Sequence, residues 1–199
     1  RLTALQARIQ PHFLFNSMNT IASLIDSHPE LAEEAVLDLS ELFRASLRTT
    51  EQLVPLSREL ELCQRYLAIE GLRLGERLAL DWAIEPGLEQ QAIPPLTLQP
   101  LVENAIYHGI QPRAEGGTVR IEVSAKDRFV YLLVQNPAPE AGESRHSGNH
   151  IALDNTLARL RALFGESAVL KRSRQNDIYT VTLRLPRQTV SQYKRLVSR

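Results

Sequence analysis

Residues 98–109 read LQPLVENAIYHG, and this stretch decides how the rest of the chain is read. On a helix, Leu98, Leu101, Val102 and Ala105 fall on one side and suit packing against a sheet. Asn104 and His108 are four apart and share another face, with Glu103 beside them. A carboxylate, an amide and an imidazole on one helix can hold Mg²⁺ and phosphate oxygens, because Mg²⁺ prefers hard oxygen ligands. Pro94 and Pro95 close the segment before, so a helix is expected over 96–108.

Downstream, Val119, Ile121 and Val123 alternate within 118–125, a strand signature. Residues 129–134 are an uninterrupted apolar run, expected as a central strand. Residues 137–149 are rich in Pro, Ala, Gly, Ser and Glu and read as a mobile loop, placed to act as a lid. Leu153, Leu157, Leu160 and Leu163 mark a helix over 151–164 that Gly165 stops. Gly148 stands before it, where a glycine lets backbone N–H groups approach a phosphate. Residues 168–174 and 178–185 form a hairpin, and a basic tail follows Pro186 as an exposed helix. Upstream, 78–84 reads as one more strand.

The other pole of the sequence is residues 10–16, QPHFLFN. His12 and Asn16 lie one turn apart on a helix face. An imidazole lone pair can act as a nucleophile. Pro11 interrupts the helical pattern of 1–27, an unusual neighbour for a helical histidine. A second amphipathic helix runs from Pro29 to about Thr49 and makes an antiparallel hairpin with the first. A third begins at 55–57, with Ser57 as its N-cap, Glu59 and Glu61 near its positive end, and Leu60, Cys63 and Leu67 on its stripe. The hairpin's apolar stripe has no cover in a monomer, which predicts a homodimeric four-helix bundle. The expected class is α+β: a helical region over 1–76, an α/β layer over 77–187, and a basic tail over 188–199.

Bulk properties bound the function. The chain has 199 residues, 43% hydrophobic and 23% charged, enough apolar material for a sizeable core. Its formal net charge is zero, so no electrostatic pull toward nucleic acid is expected. Its single cysteine, Cys63, cannot form an internal disulfide and suits a reducing compartment as a small packed hydrophobe. The histidines and Cys63 show no zinc-type spacing.

In order, QPHFLFN, YLAIEGLRLGERL over 66–78, LQPLVENAIYHG, and GNHIALDNTLARLRALFG with YTVTLRLP resemble the histidine kinases of the LytS and YehU type. The likeness covers almost the whole chain. It implies a helical dimerisation and phosphotransfer region followed by a Bergerat-type α/β sandwich that binds ATP and Mg²⁺. It implies that His12 is the phosphoacceptor, that Asn16 orients water or the phosphoryl group, and that Glu103 and His108 flank Asn104, the Mg²⁺ ligand. Asn136 falls where many such domains carry an adenine-reading aspartate. Gly148 begins the phosphate-side loop, Asn155 and Arg159 follow on its helix, and Thr180 lies near the adenine. The implied partners are a response regulator of LytTR type, a second copy of the chain, and a membrane sensor region upstream, at the cytoplasmic face of the inner membrane.

The departures from the pattern are His150 and Ala152 in place of loop glycines, Tyr107 in place of lysine, and Asn136 in place of aspartate. They keep a second reading open: a dimeric scaffold or phosphatase for the regulator that uses ATP weakly. Pro100 stands where related ATPases carry a hydrolytic glutamate, which suits transfer to histidine over transfer to water.

Overall fold

The computed structural model describes residues 11–47, 52–138 and 148–197, without the side chains of 148–152, 194, 196 and 197. The expected helical lead-in of residues 1–10 and most of the expected lid, residues 139–147, lie outside the described residues. Helix α1 is described over Pro11–Leu24, and α2 (Pro29–Leu47) packs back against it.

Strand β1 (Val54–Pro55) leads into α3 (Leu56–Leu74), which packs on both hairpin helices. The cap of α3 is Pro55 and not the expected Ser57, and no side chain caps that end. The physical reason is a pairing that sequence did not suggest. Strand β1 runs antiparallel to β3 (Ala92–Ile93), beyond β2 (Leu78–Ile84) in the chain. Leu56 and Ser57 donate their N–H groups to the Gln91 and Glu89 carbonyls at 2.8 and 3.0 Å. Backbone from the sheet region thus satisfies amides that a side-chain cap would otherwise serve.

The helices give way to a five-stranded sheet after a short turn at Gly75–Arg77. Its other strands are β4 (Gly117–Lys126), β5 (Phe129–Pro137), β6 (Val169–Gln175) and β7 (Ile178–Pro186), in the order β2-β4-β5-β7-β6. Only β2 and β4 pair in parallel. The apolar run is central, as expected. Val119, Ile121, Val130, Leu132, Val181 and Leu183 are buried on one face of the sheet. The opposite face is polar: Arg120 bridges to Asp81 and Glu122, and Gln135 donates to the Thr180 hydroxyl at 3.1 Å.

Helix α4 (Gln99–Asn104) continues into a π-helical segment (Ala105–Ile110) that packs on β4 and β5. Helix α5 (Gly148–Phe164) packs against α4, and α6 (Val190–Val197) touches β3. The helix expected over 96–108 is therefore shorter at its start and wider in its second half. Leu96 stands before it in a left-handed conformation, φ 55°. π-Helical segments are rare and are frequent at functional sites. Here the wider winding lays Gly109 against Asn136 of β5, where a Cβ would overlap the asparagine side chain.

Candidate functional site

His12 projects from α1 and is exposed. Its neighbour Phe13 is buried with its ring 4.8 Å from that of Tyr66 on α3. This packing fixes which way this stretch of α1 faces. Asn16, one turn on, places its amide nitrogen 3.0 Å from His12 Nδ1. An asparagine amide facing Nδ1 decides which ring nitrogen keeps a lone pair, and a half-turn of the amide exchanges the two states.

The histidine does not stand apart from the α/β layer. Its ring meets the Tyr107 ring edge-on, centroids 6.4 Å apart, and Tyr107 stacks edge-on with His108 at 4.7 Å. Tyr107 belongs to the π segment that follows Asn104. The expected phosphoacceptor and the expected Mg²⁺-binding helix of one chain thus meet side by side.

One half-buried and one buried carboxylate underlie this junction. Glu103 lies one turn before Tyr107 and accepts a hydrogen bond from Gln99 Nε2 at 2.8 Å. Loss of solvation pushes its carboxyl up to about 7, with the nearby Glu70 adding to the rise and Gln99 opposing it. Glu70 of α3 is 2% exposed and is held by the Arg73 guanidinium, with Arg73 Nε at 3.1 Å. Burial raises its carboxyl too, and the charges of Arg73 and His12 oppose that rise. Sequence reasoning missed Glu70. The signal was present: Glu59, Tyr66 and Glu70 fall at helical spacing on the stripe that Leu56, Cys63, Leu67 and Leu74 mark as buried.

Asn104 is 7% exposed, and its amide nitrogen has no hydrogen-bond partner among the described residues. A buried amide without a protein partner awaits one from outside. Turning that amide presents its oxygen, the donor type Mg²⁺ prefers, beside the Glu103 carboxyl. The residues present therefore fit a Mg²⁺-bound phosphate.

The remaining expected site residues divide. Asn136 is buried on the helix-facing side of the sheet, donating to the Pro137 carbonyl at 2.7 Å. Thr180 is not brought to that side. Strand alternation puts it on the polar face with Gln135, while Tyr179 is the residue paired with Asn136. Gly148 is the first described residue of α5, and Asn155 lies exposed further along it. Arg159 turns to the start of α4, donating to the Leu96 carbonyl at 2.8 Å and to Thr97 Oγ1 at 3.2 Å. Cys63 is fully buried, and burial raises its thiol well above the ordinary range, an inert packed side chain as expected.

Comparison with known proteins bears on the family and the fold. The family model described as "Histidine kinase" matches residues 1–78. The chain is 38% identical over 185 residues to the "Sensor histidine kinase BtsS" of Escherichia coli (strain K12), covering 92% of this chain and 32% of that protein. It is 34% identical over 183 residues to the "Sensor histidine kinase/phosphatase LytS" of Staphylococcus aureus (strain Mu50 / ATCC 700699), covering 85% and 31%. The chain spans about a third of the length of these curated relatives. Among solved structures, the histidine kinase domain of the Erythrobacter litoralis EL346 blue-light activated histidine kinase aligns with a TM-score of 0.52 at 16% identity, over 99% of this chain and 94% of that one. That likeness speaks for the fold alone. With the ordered motifs from QPHFLFN to YTVTLRLP and an α+β fold of the histidine kinase type, the chain belongs to the LytS-type family of sensor histidine kinases.

Proposed function

We propose that this chain transfers the γ-phosphoryl group of ATP to His12 and passes it on to an aspartate of a LytTR-type response regulator. The observation that carries the proposal is the edge-on contact of the His12 ring with Tyr107, three residues past Asn104. Phosphoryl transfer depends on positioning and charge neutralisation more than on covalent help. Asn104, with Glu103 and His108 beside it, holds Mg²⁺, which offsets phosphate charge when bound. Gly148 and Asn155 border the phosphates from α5, and Arg159 serves by holding the turn before α4. Asn136 accepts the adenine amino group through its amide oxygen, and Tyr179 shares its side of the sheet where Thr180 does not. Asn16 sets the tautomer of His12, so that one ring nitrogen presents its lone pair. Glu103, pushed up to about 7, suits the proton acceptor for the imidazole at neutral pH.

The unit that acts is a homodimer in this reading. Phe15, Met18, Val36 and Leu37 are large, apolar and exposed on the hairpin. A second hairpin covers them in a four-helix bundle. No helix among the described residues is long and apolar enough to cross a membrane. In this reading the sensing part lies upstream, in or at the membrane.

Incubation with γ-labelled ATP and Mg²⁺ tests the reading. Acid-labile label that disappears in His12→Gln is the expected result. A folded dimer that takes up no label rejects it. The second reading, a scaffold or phosphatase that uses ATP weakly, draws on Asn136, whose neutral amide is already engaged with Pro137. Loss of label from a phosphorylated regulator on adding the unlabelled protein would favour that reading.

A further inference from the structure

Glu59 sits in the first turn of α3, completely buried. Its position suggests service to the dipole of its own helix, yet the carboxylate serves another. The backbone N–H groups of Leu96, Thr97 and Leu98 donate to it at 2.6, 2.8 and 2.9 Å. These are the amides that lead into α4, the helix of Glu103 and Asn104. Leu96, at φ 55°, is in a conformation that side chains other than glycine rarely adopt. Such a residue persists only where its surroundings hold it. Here both its backbone groups are held by charged side chains from different helices: the N–H by Glu59 of α3, and the carbonyl by Arg159 of α5. Thr97, also buried, donates its hydroxyl to the Pro94 carbonyl at 2.7 Å and accepts from Arg159. The Arg159 charge reaches Glu59 itself, opposing the rise that burial imposes on its carboxyl.

We propose that Glu59 is a positioning residue for phosphoryl transfer: it clamps the 96–98 turn that left-handed Leu96 begins, with Arg159 as the second anchor, and so makes the pose of the Asn104 helix depend on α3. The inference rests on the ATP reading above for its catalytic meaning. Its consequence is directional. The hairpin helices α1 and α2 pack on α3, so a displacement of the hairpin that moves α3 reaches the start of the Asn104 helix through this carboxylate. The opposite anchor, Arg159, lies on α5 with Gly148, so the two helices expected around the nucleotide share the joint.

Glu59→Gln tests this, because glutamine keeps the shape but replaces one acceptor oxygen with a donor that faces other donors. Hydrogen exchange on the full chain is expected to speed up about tenfold or more across residues 96–104, with the amides of α1 and α2 unchanged. The dissociation constant for ATP with Mg²⁺, read by calorimetry well below the melting temperature, is expected to rise about tenfold. A purely structural role would lower the melting temperature yet leave that constant alone. Exchange confined to 96–98, with residues 99–104 and ATP affinity within about twofold of the parent, overturns the proposal. Where the glutamine variant does not fold, Glu59→Asp decides: it keeps the charge with a shorter reach and is expected to show the same changes at smaller size. If the unsubstituted chain binds no ATP, the ATP reading falls by itself, and the exchange pattern alone decides the joint.

Discussion

Glu103 shows how one residue's surroundings set its chemistry. Its carboxyl is pushed from 4.5 up to about 7, mainly by loss of solvation. The folded state therefore binds this proton more tightly than the unfolded chain does. Between pH 4.5 and about 7 the unfolded chain releases it first, so this group's contribution to stability falls as pH rises and is flat above about 7. Glu103→Gln removes the slope. Urea titrations should find the variant more stable than the parent at pH 8, by an amount on the order of 3 kcal/mol, with the difference closing near pH 4. A gap that is the same at both pH values would show that Glu103 is not the group responsible. Gly109 makes a steric counterpart. A Cβ there overlaps the Asn136 side chain, so Gly109→Ala should cost about 1–3 kcal/mol in chemical denaturation. Truncation in the double variant Gly109→Ala, Asn136→Ala should return part of that loss, because it removes the atoms that collide.

At the scale of elements, the motif 66–78 is where the helical region is fastened to the sheet. Tyr66 packs on Phe13, Glu70 pairs with Arg73, and Arg77 reaches across to the end of the π segment. Arg77 Nη2 donates to the Gln111 and Arg113 carbonyls at 3.0 and 2.6 Å. These carbonyls sit at or just past a helical end, where partners from within the helix run out. Arg77→Ala should therefore destabilise by roughly 2 kcal/mol, with the extra exposure confined to residues 105–116 in hydrogen exchange. Uniform loss of protection across the sheet would contradict that assignment. The β1–β3 pair and the 96–98 turn complete the fastening. None of the three is visible as a periodic pattern, because each joins residues far apart in the chain.

At the scale of the molecule, His12 and the Asn104 helix of one chain face each other through Tyr107. On the proposed reading this contact suits transfer within a chain, while the exposed hairpin face suits a second copy. Leu37 is 59% exposed on that face, beside a groove lined by Ile21, Ile25, Ala32 and Val36. Leu37→Glu should shift the mass measured by light scattering from dimer toward monomer, at least tenfold in dissociation constant, since it places a charge in an apolar contact. Labelling of His12 in that monomer should persist if transfer runs within a chain. A variant that remains dimeric at micromolar concentration would place the dimer contact elsewhere.

The sequence alone determined the order of the longer helices and strands and the central place of the apolar strand, and it supplied the two proposed poles of the site, His12 and Asn104. These follow from periodicity and motif, which are local along the chain. It also put Glu59 near the start of α3, where it lies. Only the tertiary structure decided that the Glu59 carboxylate holds the turn leading into α4, that Arg159 turns to Leu96, that Thr180 faces the polar side while Asn136 faces the helices, and that Glu70 joins Glu103 beneath His12. Each of these depends on which backbone amide or which face arrives opposite a side chain. That is fixed by packing between distant segments, and a pattern read along one segment does not contain it.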